Sequence, residues 1–365
     1  MSLSRLLQRI ARLFEKPASR RIRSARLMSL AAGGCEQLEH RQLLTVYSID
    51  PIHGLDTNPG TLEAPFQTPR NLSYSASAET DHYVALQPGD TVYLRDGVHD
   101  WSSLLAEIPN KPDSAGAAFL LVGVHGTETQ PVSVAAYPGE HPIVTGRESG
   151  QENDLIYVLQ SSHVTVSGLE VTGAFGNGIR VVESDQIEVF SNHVHDNDGI
   201  AANNLAGISL LSNTNVEVHH NLIHDNYDRR GVQINDQEVY PIQNSRNVVI
   251  FGDNSDRIHV HHNKVFNTPL PNGAETGAGI WVKHASEIPG AIIEISDNII
   301  RDVSFTGIGG QSPGVYAHNN LLINAGAYTI PGGDNNETKR LIVDRIHIEN
   351  NTFINTPTVE INLLG

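Results

Sequence analysis

The sequence predicts an all-β solenoid, built from short strands that stack coil upon coil, and three observations support this. Residues 178–197 match residues 207–226 after a shift of 29 positions, which places Gly178 on Gly207. Within each copy, β-branched residues alternate with polar ones, as they do in short strands. Beyond residue 45, turn-forming Gly, Asn and Asp are frequent and helical periodicity is rare. Units of this length bury their apolar face only by stacking on their neighbours.

The first 45 residues differ from the rest of the chain. They hold nine Lys/Arg against three Asp/Glu, a net of +6, whereas the whole chain carries −17, so residues 46–365 carry −23. An apolar helical face in residues 2–16 and a weakly apolar run at 27–34 predict an export leader with a long basic start. A surface helix that caps the solenoid is the alternative interpretation.

The composition excludes several classes of protein. An acidic body argues against a nucleic-acid partner, since binding to phosphates requires a basic surface. The single cysteine, Cys35, excludes an internal disulfide framework. No apolar run has the length of a membrane span. We therefore expect a monomer with no membrane span and no bound nucleic acid.

A short motif follows the basic segment. Residues 37–45 read Q-L-E-H-R-Q-L-L-T. They resemble the E-x-R-x-L-L-[ST] motif at the front of many large secreted surface proteins in some bacterial lineages. The resemblance implies that the protein is secreted or held at the cell surface.

The next segment carries a second resemblance. Residues 48–68 read S-I-D-P-I-H-G-L-D-T-N-P-G-T-L-E-A-P-F-Q-T, and residues 88–92 read P-G-D-T-V. They resemble the opening coils of secreted right-handed parallel β-helix proteins, including pectate-lyase-like polysaccharide lyases. The resemblance implies a right-handed parallel β-helix of about nine or ten coils over residues 46–365. Because the chain ends inside what reads as a coil, we expect the domain to be C-terminally incomplete.

Asparagine recurs at the turn after the main strand of each copy. Asparagine tolerates left-handed turn geometry, and its amide can hydrogen-bond up and down a stack of coils. We assign this column a structural role. Its members are Asn192, Asn221, Asn263, Asn298, Asn320 and Asn351.

A second column, four residues further on, contains Asp196 and Asp225, with Asp198 and Asp228 close by. Carboxylates from neighbouring coils stand about 4.8 Å apart, and Ca²⁺ prefers several oxygen ligands. The sequence leaves two interpretations open: ordinary turn residues, or a calcium site formed by these four aspartates.

Residues 279–285, G-I-W-V-K-H-A, break the repeat. The repeat register points Ile280 and Val282 inward, and Trp281 and Lys283 outward. The positions that align with Lys283 in the other copies hold no cation. They are Val182, Leu211, Asn235 and Gln311.

This stretch supplies the candidate catalytic residue. Lys283 beside the flat ring of Trp281, with His284 next to it, suits a base that works beside a sugar-binding platform. The resemblance implies the same role for Lys283, because several β-helix lyases use Lys or Arg as the base, usually with Ca²⁺. The alternative is a surface lysine paired with Asp236 or Glu287.

Further cations flank this position. Arg229 and Arg230 directly precede Gly231, where another copy of the repeat begins. The repeat register places Arg230 roughly 16 Å from Lys283 along the strand direction. The two arginines would therefore bind sugars of the polymer next to the one at Lys283. His195, His224 and Arg301 share one turn position and either extend a basic rim or are solvated turn residues.

These observations predict a carbohydrate-active protein. The N-T-D, G-H-G and R-I-K signatures of polygalacturonase-type hydrolases are absent, which argues against hydrolysis by paired carboxylates. We expect a lyase that cleaves an acidic polysaccharide by β-elimination, with Lys283 as base and Ca²⁺ in support. The alternative is a non-catalytic surface or adhesion module that binds polysaccharide.

Overall fold

The computed structural model contains three parallel sheets that wind into a right-handed β-helix, which confirms the predicted fold class. Residues 1–43 lie outside the described residues, so the leader remains a prediction. No helix in the described part is long and apolar enough to cross a membrane. The described residues are 44–74, 83–107, 117–146, 154–197, 205–227, 232–234, 237–239, 245–270, 276–285, 288–325, 328–331, 345–356 and 359–362.

The three sheets are here called A, B and C. Each regular coil contributes one strand to each sheet, and along the chain these strands follow in the order C, A, B. Sheet A contains Val46–Ile49, Thr91–Leu94, Val132–Ala136, Ser162–Ser167, Asp185–Phe190, Thr214–His219, Asp256–His261, Ile293–Ser296, Val315–His318 and His347–Glu349. Sheet B contains Gly97–Asp100, Pro142–Thr145, Glu170–Thr172, His193–His195, Leu222–His224, Lys264–Phe266, Ile299–Arg301, Leu321–Ile323 and Thr352–Ile354. Sheet C contains Ala117–Val122, Asp154–Leu159, Ile179–Val182, Ala206–Leu211, Arg246–Phe251, Ala278–Lys283, Thr306–Gln311, Tyr328–Pro331 and Val359–Asn362.

The bore of the helix is the hydrophobic core. Ile187 and Val189 of one coil pair in register with Val216 and Val218 of the next, and all four are at most 1% exposed. Their alternation with outward residues such as Glu188 follows from the period of two in a strand. The predicted inward positions of the repeat are therefore confirmed.

The asparagine column forms a continuous ladder of amides. The Asn221 Oδ1 accepts from the Asn192 backbone N–H at 2.9 Å, and its Nδ2 donates to the Asn263 Oδ1 at 3.0 Å. The left-handed backbone lies one residue earlier, for example at His220 with φ of 54°. The structural role of the asparagine column is therefore confirmed. Its amides stack from coil to coil, whereas the residue before each asparagine adopts the left-handed turn conformation.

A second asparagine ladder, which the repeat alignment did not single out, closes the turn after sheet B. Asn197 Nδ2 donates to Asn226 Oδ1 at 2.8 Å, and Asn226 Nδ2 donates to Asn247 Oδ1 at 2.9 Å. All three are at most 1% exposed. The two ladders satisfy buried backbone groups at two of the turns in a coil, and so fix the cross-section there.

Within the described residues, short helical segments precede the regular coils. A 3₁₀ helix covers Arg70–Leu72, and an α-helix covers Ser102–Glu107. Leu104 and Leu105 of the α-helix belong to the bore core, and Trp101 before it meets the Phe119 ring edge-on at 6.2 Å. The helix therefore packs against the first strand of sheet C.

The register around residues 231–251 corrects the sequence analysis. The strands Val232–Ile234 and Gln237–Val239 pair antiparallel with each other, outside the three stacked sheets. The sheet C strand of this coil is Arg246–Phe251, and Phe251 pairs with Lys283. Asn235 is therefore not the counterpart of Lys283, and the 16 Å spacing from Arg230 no longer applies.

Candidate functional site

Lys283 is the last residue of its sheet C strand and points away from the bore. Ile280 and Val282 are at most 1% exposed in the core, as the alternation predicted, whereas Lys283 is partly exposed. Among the described residues, no carboxylate lies within ion-pair distance of its ammonium group. The predicted partners Asp236 and Glu287 lie outside those residues.

Trp281 shares the outward face of the strand with Lys283, but its predicted role as an open platform is wrong. The side chain is only 6% exposed and clusters with Val249. The Arg246 guanidinium lies 5.5 Å from the centre of the indole ring, and the Phe305 ring lies 5.8 Å away. These neighbours cover the ring, so it supports the strand from outside the bore.

The exposed aromatic ring beside the lysine belongs to Phe251. It occupies the neighbouring position in the strand before Lys283, about 4.8 Å away at the backbone. Its side chain is 40% exposed. The run N-V-V-I-F at 247–251 carried the signal as a short run of β-branched residues that ends in an aromatic one, but it lacks the glycine that marked the other copies.

His284 completes this group. Its backbone is left-handed, with φ of 48°, which ends the strand and turns the chain towards sheet A. Its imidazole meets the Phe251 ring edge-on at 6.3 Å. Lys283, His284 and Phe251 therefore form one surface, here called the Lys283 cluster. Arg229 and Arg230, also predicted to bind substrate, lie outside the described residues.

The aspartates predicted to bind calcium divide into two groups. Asp196 and Asp225 have left-handed backbones, with φ of 51° and 57°. Their carboxylates accept from the Nδ1 atoms of adjacent histidines at 2.7 and 2.8 Å. Asp198 and Asp228 lie outside the described residues. Two carboxylates already bonded to imidazoles do not by themselves make a calcium site, so calcium there stays a prediction.

The residues predicted to form a basic rim do align in the structure, but the aligned positions are not all basic. His195, His224, Phe266 and Arg301 follow one another in register on sheet B. The Arg301 guanidinium lies 4.5 Å over the Phe266 ring and 3.1 Å from the carboxylate of Asp302. These contacts pack the side chains of Phe266 and Arg301 against their neighbours on the protein surface.

Three histidines come together on the outer face of sheet B. His193 Nε2 lies 2.8 Å from His224 Nε2, and the ring of His195 stacks on both. Burial and then the two neighbouring imidazoles lower the pKa of His193 to about 4. Burial lowers the pKa of His195, but hydrogen bonds to Asp196 and Glu170 outweigh it and raise that pKa overall. The sequence showed these residues as separate H-D-N turns.

A second column of imidazoles runs along the outer face of sheet A. The His219 and His261 rings stack at 4.9 Å. Their Nε2 atoms face carboxylates, His219 with Glu188 at 2.8 Å and His261 with Glu217 at 3.6 Å. Burial and then the neighbouring imidazoles lower the pKa of His261 to about 4.

This lowered pKa predicts sensitivity to acid. Below its ordinary pKa of 6.5, His261 takes up a proton more readily in the unfolded chain, so its contribution to stability is present above that pH and is lost as pH falls towards 4. Between about pH 7.5 and 5, we expect the Tm of His261→Gln to fall less than the Tm of the parent protein. The difference between the two falls should be about 2 °C or more. The exposed His141→Gln, which lies outside this group, is the control, and an equal loss in all three proteins would contradict the assignment.

A cavity of about 440 Å³ lies elsewhere, beside the last coils of sheet A. Tyr316, Arg345 and Glu349 are among the residues that line it. The Tyr316 hydroxyl donates to Glu349, and Arg345 Nη1 donates to the Ala291 carbonyl at 3.1 Å. The cavity does not include the Lys283 cluster.

Other proteins share this architecture. A family model described as the right-handed beta helix region matches residues 154–364. A rhamnogalacturonan lyase is 17% identical with a TM-score of 0.50, covering 84% of this chain and 87% of its own. The pectate lyase Pel9A is 15% identical with a TM-score of 0.50, covering 87% and 77%. At these identities the likeness concerns the fold alone, and the comparison with curated proteins gave no match.

Proposed function

The chain belongs to the right-handed β-helix family, and on that premise we propose that it binds an acidic polysaccharide and cleaves it by β-elimination. The observation that carries the proposal is the Lys283 cluster, which sets an amine without a described carboxylate partner beside an exposed phenyl ring and an imidazole. The solved structures named above include two lyases by title, which is consistent with the proposal.

The cluster suits an anionic sugar for two physical reasons. In its protonated form Lys283 attracts a uronate carboxylate as the polymer approaches, before the amine loses its proton, and the Phe251 ring offers a flat apolar face to the C–H groups of a sugar ring. An acidic protein body would otherwise repel such a polymer. A local cation on the outer wall of sheet C therefore gives the polymer a place to bind.

The same amine can act as the base. In its neutral form Lys283 takes the proton from the carbon α to the uronate carboxylate, and the electron pair of that C–H bond forms a carbon–carbon double bond. The bond from the adjacent carbon to the glycosidic oxygen breaks, and the leaving oxygen takes a proton from water. The proton on Lys283 returns to solvent. Because an amine accepts a proton only when neutral, we expect the rate to rise with pH.

The product gives a direct test of this activity. Elimination leaves an unsaturated uronate that absorbs in the ultraviolet, whereas hydrolysis and simple binding do not produce it. We expect the purified full chain to release this product from at least one polyuronate in a screen of pectate, rhamnogalacturonan, alginate and glucuronan. Calcium is added in one arm, because calcium support remains a prediction. No ultraviolet product from any polymer in either arm would overturn the lyase proposal.

A non-catalytic polysaccharide-binding module is the second candidate. It is favoured by one observation: within the described part of the chain, the residue groups that could hold a metal lie on sheets A and B, and Arg246 on sheet C is buried against Trp281, where it does not reach a bound polymer. Retention of a polyuronate without any product would identify this function. In either case we propose a secreted or cell-surface location, which rests on the leader and motif in residues 1–45.

The exposed ring of Phe251 predicts a separate effect on binding. Stacking on a sugar would remove part of this ring from water, so Phe251→Ala should raise KM by about tenfold and change kcat by less than about twofold. Initial rates over a range of polymer concentrations measure both constants. Ile299→Ala, an apolar side chain on sheet B that is 39% exposed, is the matched control. An unchanged KM in Phe251→Ala would show that the ring does not contact substrate.

A further inference from the structure

The three-histidine cluster of sheet B, formed by His193, His195 and His224, has the composition of a metal site. The three residues come from two adjacent coils, and each offers a ligand nitrogen within 4.8 Å of the other two. Imidazole is the commonest protein ligand for Zn²⁺ and related divalent ions. The cluster lies on sheet B and plays no part in the proposed elimination.

Two of the imidazoles are oriented by carboxylates. His195 Nδ1 lies 2.7 Å from Asp196, and His224 Nδ1 lies 2.8 Å from Asp225. Asp225 is itself fixed, because it also accepts from the backbone N–H and the hydroxyl of Thr268. A histidine whose Nδ1–H donates to a carboxylate presents the lone pair of Nε2, and this is the usual arrangement behind a metal-binding histidine.

The Nε2 atoms of the cluster face one another and a glutamate. His193 Nε2 lies 2.8 Å from His224 Nε2, and His195 Nε2 lies 3.2 Å from Glu170 Oε1. Nitrogens bound to one tetrahedral zinc at about 2.0–2.1 Å stand roughly 3.3 Å apart. The pair His193 and His224 must therefore separate by about half an ångström, which a partly exposed His193 side chain permits.

We propose that His193, His195 and His224 bind one divalent transition-metal ion of the zinc type through their Nε2 atoms, with Glu170 as the oxygen ligand. The ion would join three successive coils of sheet B across their outer face, since Glu170, the pair His193 and His195, and His224 lie on neighbouring strands. Asp196 and Asp225 act as positioning residues, a role that neither calcium binding nor turn formation alone gives them.

The second histidine group separates this proposal from a general affinity of surface histidines for metal. Glu217, His219 and His261 also lie within ligand distance of one another. There, however, the Nδ1 atoms of His219 and His261 face the Nδ1 atoms of His220 and His262 at 2.8 and 2.9 Å. Among the described residues, carboxylates contact these two rings only at Nε2, and their Nδ1 atoms face imidazoles, so the arrangement of the sheet B cluster is not repeated and this group serves as the internal control.

Isothermal titration of the untagged full chain with Zn²⁺ tests the site, with Ca²⁺ as the negative control. We expect one Zn²⁺ to bind and Tm to rise with it. His193→Gln, at the most exposed ligand, should weaken binding by at least about 100-fold, and Asp196→Asn by about 10-fold to 100-fold. Replacement with Co²⁺ should give the visible absorption of tetrahedral coordination.

The control variant tests which of the two histidine groups binds the metal. His261→Gln should keep the full stoichiometry and affinity for Zn²⁺, and circular dichroism of each apo variant verifies the fold. Absence of Zn²⁺ binding at micromolar concentration would overturn the proposal. So would binding that is lost in His261→Gln and retained in His193→Gln. Polymer cleavage is not part of the measurement, so the result is independent of the proposed lyase activity.

Discussion

Lys283→Ala should lower kcat for elimination by about 1,000-fold, because a positioned general base contributes on the order of 100-fold to 10,000-fold to a proton transfer. The side chain points out of the wall of sheet C, away from the bore residues Ile280 and Val282. Its removal therefore leaves the core intact, and we expect no loss of fold. Ultraviolet detection of the unsaturated product at saturating polymer concentration measures kcat directly.

The matched control is Lys264→Ala, an exposed lysine on sheet B. It removes the same charge from the opposite part of the coil and should leave both kcat and KM unchanged. A raised KM with unchanged kcat in Lys283→Ala would mean that the lysine only attracts the polymer. An unaffected rate would remove Lys283 from the mechanism altogether.

Asn221→Ala should lower the free energy of unfolding by about 3 kcal/mol, since it leaves several buried polar groups without partners. Asn221 is 2% exposed. Its Oδ1 accepts from the backbone and side-chain amides of Asn192, and its Nδ2 donates to the Val189 carbonyl and to Asn263. The ladder is therefore broken in both directions at once.

A shift of the urea midpoint measures this loss. Asn254→Ala is the control, because Asn254 is exposed in a turn and its backbone is not left-handed. It should change stability by no more than about 0.5 kcal/mol. Equal effects in the two variants would show that the buried amide ladder contributes nothing beyond an ordinary turn.

The local repeat was enough to predict most of the fold. Strand alternation has a period of two residues, so Ile187 and Val189 had to share one face once the segment was a strand. The 29-residue shift then placed Val216 and Val218 above them, as the structure pairs them. Where the repeat was interrupted, at residues 231–251, the same reasoning chose the wrong segment.

The candidate site was predicted only in part. Lys283 was found because it breaks a column, and it does face outward at the end of its strand. Trp281 was misjudged because alternation says which side of a strand a residue lies on, but not whether another element covers that side. Arg246 and Phe305 cover it, and neither is close to Trp281 in sequence.

Sequence periodicity was sufficient to predict the stacking fold, the bore residues, the asparagine column and the outward position of Lys283. Each of these follows from a short period that the chain repeats. Only the tertiary structure decided that Phe251 is the aromatic neighbour of Lys283, and that His193, His195 and His224 form one cluster with Glu170. These contacts join residues 25 to 32 positions apart in different coils, and loops of irregular length set their register.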